Sequence, residues 1–339
     1  MEPQQLSERL ADFLRRSHRA RSVRIDGLRL LTGGASRQSW SFDALIEDAK
    51  GRQKTIPLIL RSDPRRGPNL MGREVEYRLL KAAWAGGVIV PQVHLMGDDS
   101  LGVPFFLMEY VEGETIPRRL LRDDIYAEAR ASMAGQLGAI LAKIHRIPIE
   151  KHGLDVLPAP APERSPAETE VSRYEQIYHA STPEPHPTFE LAFRWLRKQL
   201  PPSPQRTLVH GDYRIGNVIF GPEGARAILD WELAHIGDPM EDLGWICVRS
   251  WRFGNNEKPV GGIGSREEFF SAYEAAGGSP VGADRVRFWE AFGNLRWGIS
   301  CIVQAKTYLD GLSPSVELAS IGRRIAETEW ELLNLMEER

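Results

Sequence analysis

Residues 208–232 read LVHGDYRIGNVIFGPEGARAILDWE. His210, Asp212 and Asn217 stand there in the order H-x-D-x-x-x-x-N, and Asp230 comes thirteen residues after Asn217. Leu208-Val209 and Val218–Phe220 flank the polar loop, a turn with Gly221 and Gly224 follows, and Ala227–Leu229 leads to Asp230. Short apolar runs separated by turn residues predict a strand–loop–strand unit. A hairpin of that kind draws Asn217 and Asp230 together. Phosphoryl transfer to a hydroxyl asks a protein for positioning and charge neutralisation more than for covalent chemistry. Asp212 suits the carboxylate that accepts the hydroxyl proton, and His210 suits a partner that orients the loop by hydrogen bonding. Asn217 and Asp230 offer the hard oxygens that Mg²⁺ prefers. Each residue alone also suits a turn or a strand end; the four at this spacing point to chemistry.

Upstream, Leu6, Leu10, Phe13 and Leu14 share one helical face in residues 6–20,. Apolar runs at Val23–Leu31, Trp40–Ile46 and Ile56–Leu60 predict three strands, a helical pattern fills 72–84, and Val93–Gly97 and Pro104–Val111 predict two more strands,. That order predicts an antiparallel sheet with one inserted helix. From about residue 120 helical periodicity dominates, with Met133, Leu137, Ile140, Leu141 and Ile144 forming one stripe,. Residues 153–170, rich in Pro, Ala and Glu, predict a loop; 188–199 is helical, and 241–339 is mostly helical,.

The chain has 339 residues, 43 basic and 46 acidic, with 42% hydrophobic residues. That size accommodates roughly two domains of about 150 residues. A net charge of −3 gives no pull toward nucleic acid or a membrane surface,. No apolar run nears the roughly 20 residues that span a bilayer. The polar start Met1–Gln5 does not resemble a secretory signal, and Cys247 and Cys301 make no disulfide framework, so a cytoplasmic setting is expected,. Zinc spacings, a Walker A motif and G-x-S-x-G are absent,. Nothing fixes an oligomeric state.

The H-G-D-x-x-x-x-N motif, followed by an apolar strand and Asp230-Trp231-Glu232, resembles the aminoglycoside phosphotransferase and choline kinase group of protein-kinase-like enzymes. The resemblance runs along nearly the whole chain. FWEAFGNLRWGISCIVQA (288–305) is similar to the subgroup of kinase-like domains associated with acyl-CoA dehydrogenases. It implies an α+β, two-lobed fold: an N-lobe over 1–108 that binds nucleotide, a hinge at 109–112, and a mainly helical C-lobe over 113–339. It implies ATP and Mg²⁺ as cofactors and a small-molecule hydroxyl as acceptor. TGGASRQSWSF (32–42) resembles the nucleotide-binding hairpin. Gly33 and Gly34 permit a turn whose N–H groups approach phosphates, and Ser36 and Ser39 add donors. The resemblance puts a phosphate-contacting base at Arg61, where kinases of this fold usually carry Lys, paired with a helix carboxylate, Glu76 or Glu74. It places adenine recognition at the backbone of Met108, Glu109 and Tyr110.

The segment after the metal ligands, 239–310, holds nine acidic and eight basic residues, so no acidic funnel for polycations is evident,. Trp245, Trp251, Phe253, Phe292 and Trp297 lie there among Arg249, Arg252 and Arg296, which suits an apolar acceptor with an anionic group, such as a hydroxyacyl compound,. The same residues also suit core packing. An antibiotic kinase and a catalytically inactive nucleotide-binding protein are the rival readings, the latter prompted by Arg61.

Overall fold

The computed structural model describes residues 2–31, 38–63, 71–182, 184–202 and 205–337. The chain divides into two units. The first comprises Met1–Gly113, Glu150–Val156 and Arg226–Glu232; the second comprises Glu114–Ile149, Leu157–Ala225 and Leu233–Arg339.

In the first unit, α1 (Pro3–His18) is followed by strands β1 (Ser22–Leu31), β2 (Gln38–Glu47) and β3 (Gln53–Ser62). Helix α2 (Arg73–Ala85) separates these from β4 (Val93–Met96) and β5 (Phe105–Glu109). The sheet order is β1-β2-β3-β5-β4, antiparallel throughout. α1 exists because its apolar positions fall on one face: Leu6, Leu10, Phe13 and Leu14 are all buried, against Phe42, Leu58, Leu60 and Phe105. Phe13 meets Phe105 edge-on at 5.1 Å. Each such side chain contributes about 1.5–3 kcal/mol of burial. In β3, Leu58, Ile59 and Leu60 are buried in succession, as a central strand covered on both faces requires,.

In the second unit, α3 (Pro117–Arg122) and α4 (Ala127–His145) precede α5 (Pro166–Ser181) and α6 (Pro187–Lys198). Strand β6 (Thr207–Val209) leads to the H-G-D-x-x-x-x-N motif, β7 (Val218–Gly221) follows it, and within β8 (Gly224–Ile228) the chain passes into the first unit. β9 (His235–Gly237) returns antiparallel to β6. Helices α7 (Met240–Cys247), α8 (Arg266–Ala275), α9 (Ala283–Leu309), α10 (Val316–Ile321) and α11 (Ile325–Glu337) complete the unit. α9, about 40 Å long, packs against α5, α6, α7, α10 and α11. Gly244 lets α7 press on it, since a Cβ there would overlap the backbone of Trp289. No helix among the described residues is long and apolar enough to cross a membrane.

The loop expected over 153–170 needs correction at its end. Helix α5 starts at Pro166, and Ser165 caps it, its hydroxyl accepting from Glu168 N at 3.1 Å. Ser-Pro-Ala-Glu carries the signal: an N-cap, proline at the first helical position and Glu at the third. The surrounding prolines obscured it.

Candidate active site

The first unit gathers one charged group around Arg61, at the end of β3. Arg61 Nε donates to Glu76 Oε1 at 2.7 Å, and its Nη2 lies 3.5 Å from Asp230 Oδ1. Glu76 is itself buried on α2 and also pairs with Arg73. Arg73 in turn reaches Asp63 at 2.7 Å. Glu74 points elsewhere, 76% exposed and paired with Arg78 at 3.1 Å, so the helix carboxylate on Arg61 is Glu76. Ser39 lies opposite Arg61 in the β2–β3 register. Asp230 takes a left-handed backbone, φ 64°, which Asp tolerates better than most residues,; its side chain remains 38% exposed.

Gly33, Gly34 and Ser36 lie outside the described residues. Met108 and Glu109 end β5. Glu109 N donates to Gln92 O at 2.8 Å, so that donor is engaged by the protein, and Tyr110 N faces Pro57 O at 3.4 Å.

The second unit carries the loop 210–217, whose main chain is held by buried charges. Asp242 on α7 accepts from His210 N at 2.7 Å and Gly211 N at 2.9 Å, and meets His145 Nε2 at 3.1 Å. Burial alone would raise the Asp242 carboxyl, but His145 and the His210 amide hold it below its ordinary range,. Gly211 sits at φ 80°, and a Cβ there would overlap Leu233 O, so the loop accepts only glycine at that point,. Its carbonyl accepts from Arg296 Nη2 at 2.6 Å. His210, fully buried, accepts the Asp212 amide on Nδ1 at 3.2 Å, and the Tyr213 hydroxyl donates to Leu137 O at 2.8 Å.

The Asp212 carboxylate receives three donors. Trp245 Nε1 donates to Oδ1 at 2.8 Å, Asn217 Nδ2 to Oδ2 at 2.6 Å, and Arg214 Nε to Oδ1 at 3.0 Å. Asn217 Nδ2 also donates to Asp212 O at 2.9 Å, which turns the Asn217 carbonyl oxygen away from Asp212. That amide oxygen in the second unit and the half-exposed Asp230 carboxylate in the first are each of the hard-donor type that suits Mg²⁺. Arg214 lies over the Trp251 ring at 4.8 Å. Neither Arg214 nor the Trp245 bond was read from the sequence. Arg214 is visible as a charge two residues beyond Asp212; Trp245 is 33 residues away and carries no local signal.

The expectation that Arg252 and Arg296 face an acceptor is corrected. Arg252 is buried, bonded to Glu290 Oε1 and Cys247 O at 2.8 Å each. Arg296 is buried beneath the loop, pairing with Glu241 at 3.2 Å and stacking on Trp245 at 4.3 Å. Phe292 is core, edge-on to Tyr174 and Trp289. Among the arginines, Arg249 stays part exposed, over the Trp330 ring and 3.4 Å from Glu331. Burying a guanidinium requires a partner, and the partners Glu241 and Glu290 lie too far along the chain to be matched by reading it.

Glu170, His235 and Glu241 bring ligand atoms within 4.8 Å of one another, a grouping that also occurs in metal sites. Here charge is already balanced. His235 Nδ1 faces Leu233 O at 3.0 Å and Nε2 faces Glu241 Oε2 at 3.1 Å, so both nitrogens carry protons,. Burial opposes that charge, but Glu241 and Glu170 overcome it and raise the imidazole to about 9. Arg173 neutralises Glu170 at 2.6 Å.

Residues 27–289 match the family model of the phosphotransferase enzyme family. Acyl-CoA dehydrogenase family member 10 of Mus musculus is 30% identical over 294 residues, which cover 81% of this chain and 27% of that protein. The chain thus spans about a quarter of that relative's length. Among solved structures, an inferred aminoglycoside phosphotransferase from Ralstonia eutropha superposes with a TM-score of 0.73 at 22% identity, covering 99% of this chain and 98% of the other. A thermostable mutant of aminoglycoside phosphotransferase APH(4)-Ia, in ternary complex with AMP-PNP and hygromycin B, gives 0.60 at 16% identity, covering 97% and 99%. At these identities the structural likeness is one of fold, protein-kinase-like and α+β. The chain belongs to the phosphotransferase enzyme family.

Proposed function

We propose that this protein transfers the γ-phosphoryl group of ATP to a hydroxyl of a small molecule with the help of Mg²⁺. The observation that carries the reading is the set of donors on Asp212. A carboxylate has about four lone-pair positions. Trp245 bonds Oδ1, Asn217 bonds Oδ2, and Arg214 Nε bridges both, at 3.0 Å to Oδ1 and 3.3 Å to Oδ2. These donors hold the carboxylate in one orientation, so a base that takes the proton of an acceptor hydroxyl is aimed before substrate arrives. Asn217 and Asp230 are the residues that would hold Mg²⁺, which would supply neutralisation of phosphate charge. Arg61, held by Glu76, would contact the phosphates as a planar, permanently charged fork. The resemblance assigns phosphate contact to Gly33, Gly34, Ser36 and Ser39 and adenine recognition to the backbone at 108–110. The nucleotide complex of the related fold supports ATP as the donor.

The acceptor we favour is a hydroxyacyl compound. The resemblance to proteins named as acyl-CoA dehydrogenase family members supports it, as does the balance of charge in 239–310. An aminoglycoside acceptor is the alternative, favoured by the hygromycin B complex of the structural neighbour. Mg²⁺-dependent ADP release over a panel of hydroxyacyl compounds and kanamycin tests both. Turnover of the hydroxyacyl compounds supports the proposal. Efficient phosphorylation of kanamycin with no hydroxyacyl turnover overturns the acceptor assignment, and ATP turnover with none of them points to the inactive reading.

A further inference from the structure

We infer that Arg296, on α9, is a positioning residue for the reaction: it sets the attitude of Asp212 through the Gly211 carbonyl and the Trp245 ring. The inference rests on Asp212 being the proton acceptor. Arg296 is 3% exposed, and each part of its guanidinium has a different task. Nη2 donates to Gly211 O at 2.6 Å, one residue before Asp212. Nη1 pairs with Glu241 at 3.2 Å. The flat face lies 4.3 Å from the Trp245 ring centroid, and Trp245 Nε1 holds Asp212 Oδ1. One side chain therefore fixes both the main chain before Asp212 and the side chain that holds its carboxylate.

The opposite end of the Gly211 peptide is gripped by Asp242. Its amide and its carbonyl are thus held by opposite charges from α7 and α9, and its φ of 80° leaves no softer arrangement for a side chain. Arg296 is itself anchored. Glu241 on α7 pairs with His235 of β9, Glu170 on α5 faces His235, and Arg173 on α5 balances Glu170. Tyr174 on α5 lies 5.6 Å from the Arg296 guanidinium on the ring-face side. An ammonium in place of the guanidinium keeps the charge but cannot present two donors and a flat face at once.

The test compares Arg296→Lys, Arg296→Met and Trp245→Phe with the unaltered chain. Two readouts are used: ADP release from ATP·Mg²⁺ with water as the acceptor, and hydrogen exchange of the amides in 208–217. Arg296→Lys is expected to lower kcat by roughly tenfold, the size of one hydrogen bond to a charged group, and to leave the KM for ATP unchanged. It should speed exchange at Gly211 and Asp212 while the melting temperature stays close to that of the unaltered protein. Arg296→Met should lose more activity than Arg296→Lys. Trp245→Phe, which keeps a ring for Arg296 but removes the N–H, should lower kcat without speeding exchange at Gly211. Exchange and kcat unchanged in Arg296→Lys would overturn the inference, as would a loss that follows a uniform fall in protection across the unit. If Arg296→Met fails to fold, the other two variants decide. If the unaltered protein neither binds nor turns over ATP, the kinase reading fails. Unchanged exchange in Arg296→Lys still overturns the anchoring of the loop in that case.

Discussion

Asp212 and Asp230 both follow short apolar strands, and both are acids offered to the same proposed reaction. Their surroundings differ. The Asp212 side chain is 13% exposed and accepts from Trp245, Arg214 and Asn217. The Asp230 side chain is 38% exposed, meets Arg61 at 3.5 Å, and stands on a left-handed backbone. An acid that must be aimed is surrounded by fixed donors. An acid that must take up an ion from solvent is left open on one side. Buried charges stand behind both, Asp242, His145, Arg296 and Glu241 behind the first and Glu76 and Arg73 behind the second, but the second cluster opens to solvent at Arg61, 15% exposed.

The sharpest way to break the comparison is at the aimed acid. Asp212→Asn keeps the shape and removes the base, so turnover should fall by roughly 10²–10⁴-fold with nucleotide affinity nearly unchanged; near-normal turnover in a coupled ADP assay refutes the assignment. Asp230→Ala tests the open acid. Calorimetry should show Mg²⁺-dependent ATP binding weakened by at least about tenfold in a protein that still melts cooperatively, and an unaltered Mg²⁺ requirement would remove Asp230 from the metal site. Arg61→Ala should weaken ATP binding several-fold, on the order of one charge-assisted contact, and leave adenosine binding alone. Arg61→Lys should keep part of the ATP affinity, and equal losses for ATP and adenosine would mean a structural role.

A smaller effect sharpens the contrast from the stability side. His235, behind the Asp212 loop, titrates at about 9 in the folded chain against 6.5 for a free imidazole. The folded state therefore binds the extra proton between those values, and stability falls as pH rises from roughly 6.5 toward 9. The full contribution is present below that window. Melting temperatures across it should decline in the unaltered protein and lie flatter in His235→Gln; parallel curves would show that His235 does not carry the charge.

The sheet was legible because its strands carry local signals: apolar runs bounded by turn residues, and α1 with four apolar positions on one face. The H-x-D-x-x-x-x-N spacing was legible for the same reason, being a local pattern in one loop. What could not be read depends on pairings far apart in the chain. Arg252 and Arg296 look like surface charges among aromatics until Glu290 and Glu241 are seen against them. Trp245 shows itself as a core residue in sequence and as a hydrogen-bond donor to Asp212 only in three dimensions. The choice between Glu74 and Glu76 turned on helix phase: Glu76 faces β3, and Glu74, two residues earlier, faces solvent,.

The first unit is assembled from three separate stretches, and the last of them, Arg226–Glu232, contains Asp230. During synthesis the sheet strands up to Glu109 leave the ribosome well before that stretch does. At about 5–20 residues per second, the delay between Gly113 and Glu232 is on the order of ten seconds. Throughout that interval Arg61 has Glu76 available and lacks Asp230. Synthesis of the sheet strands and delivery of the acidic residue beside Arg61 are thus separate events in the life of the nascent chain.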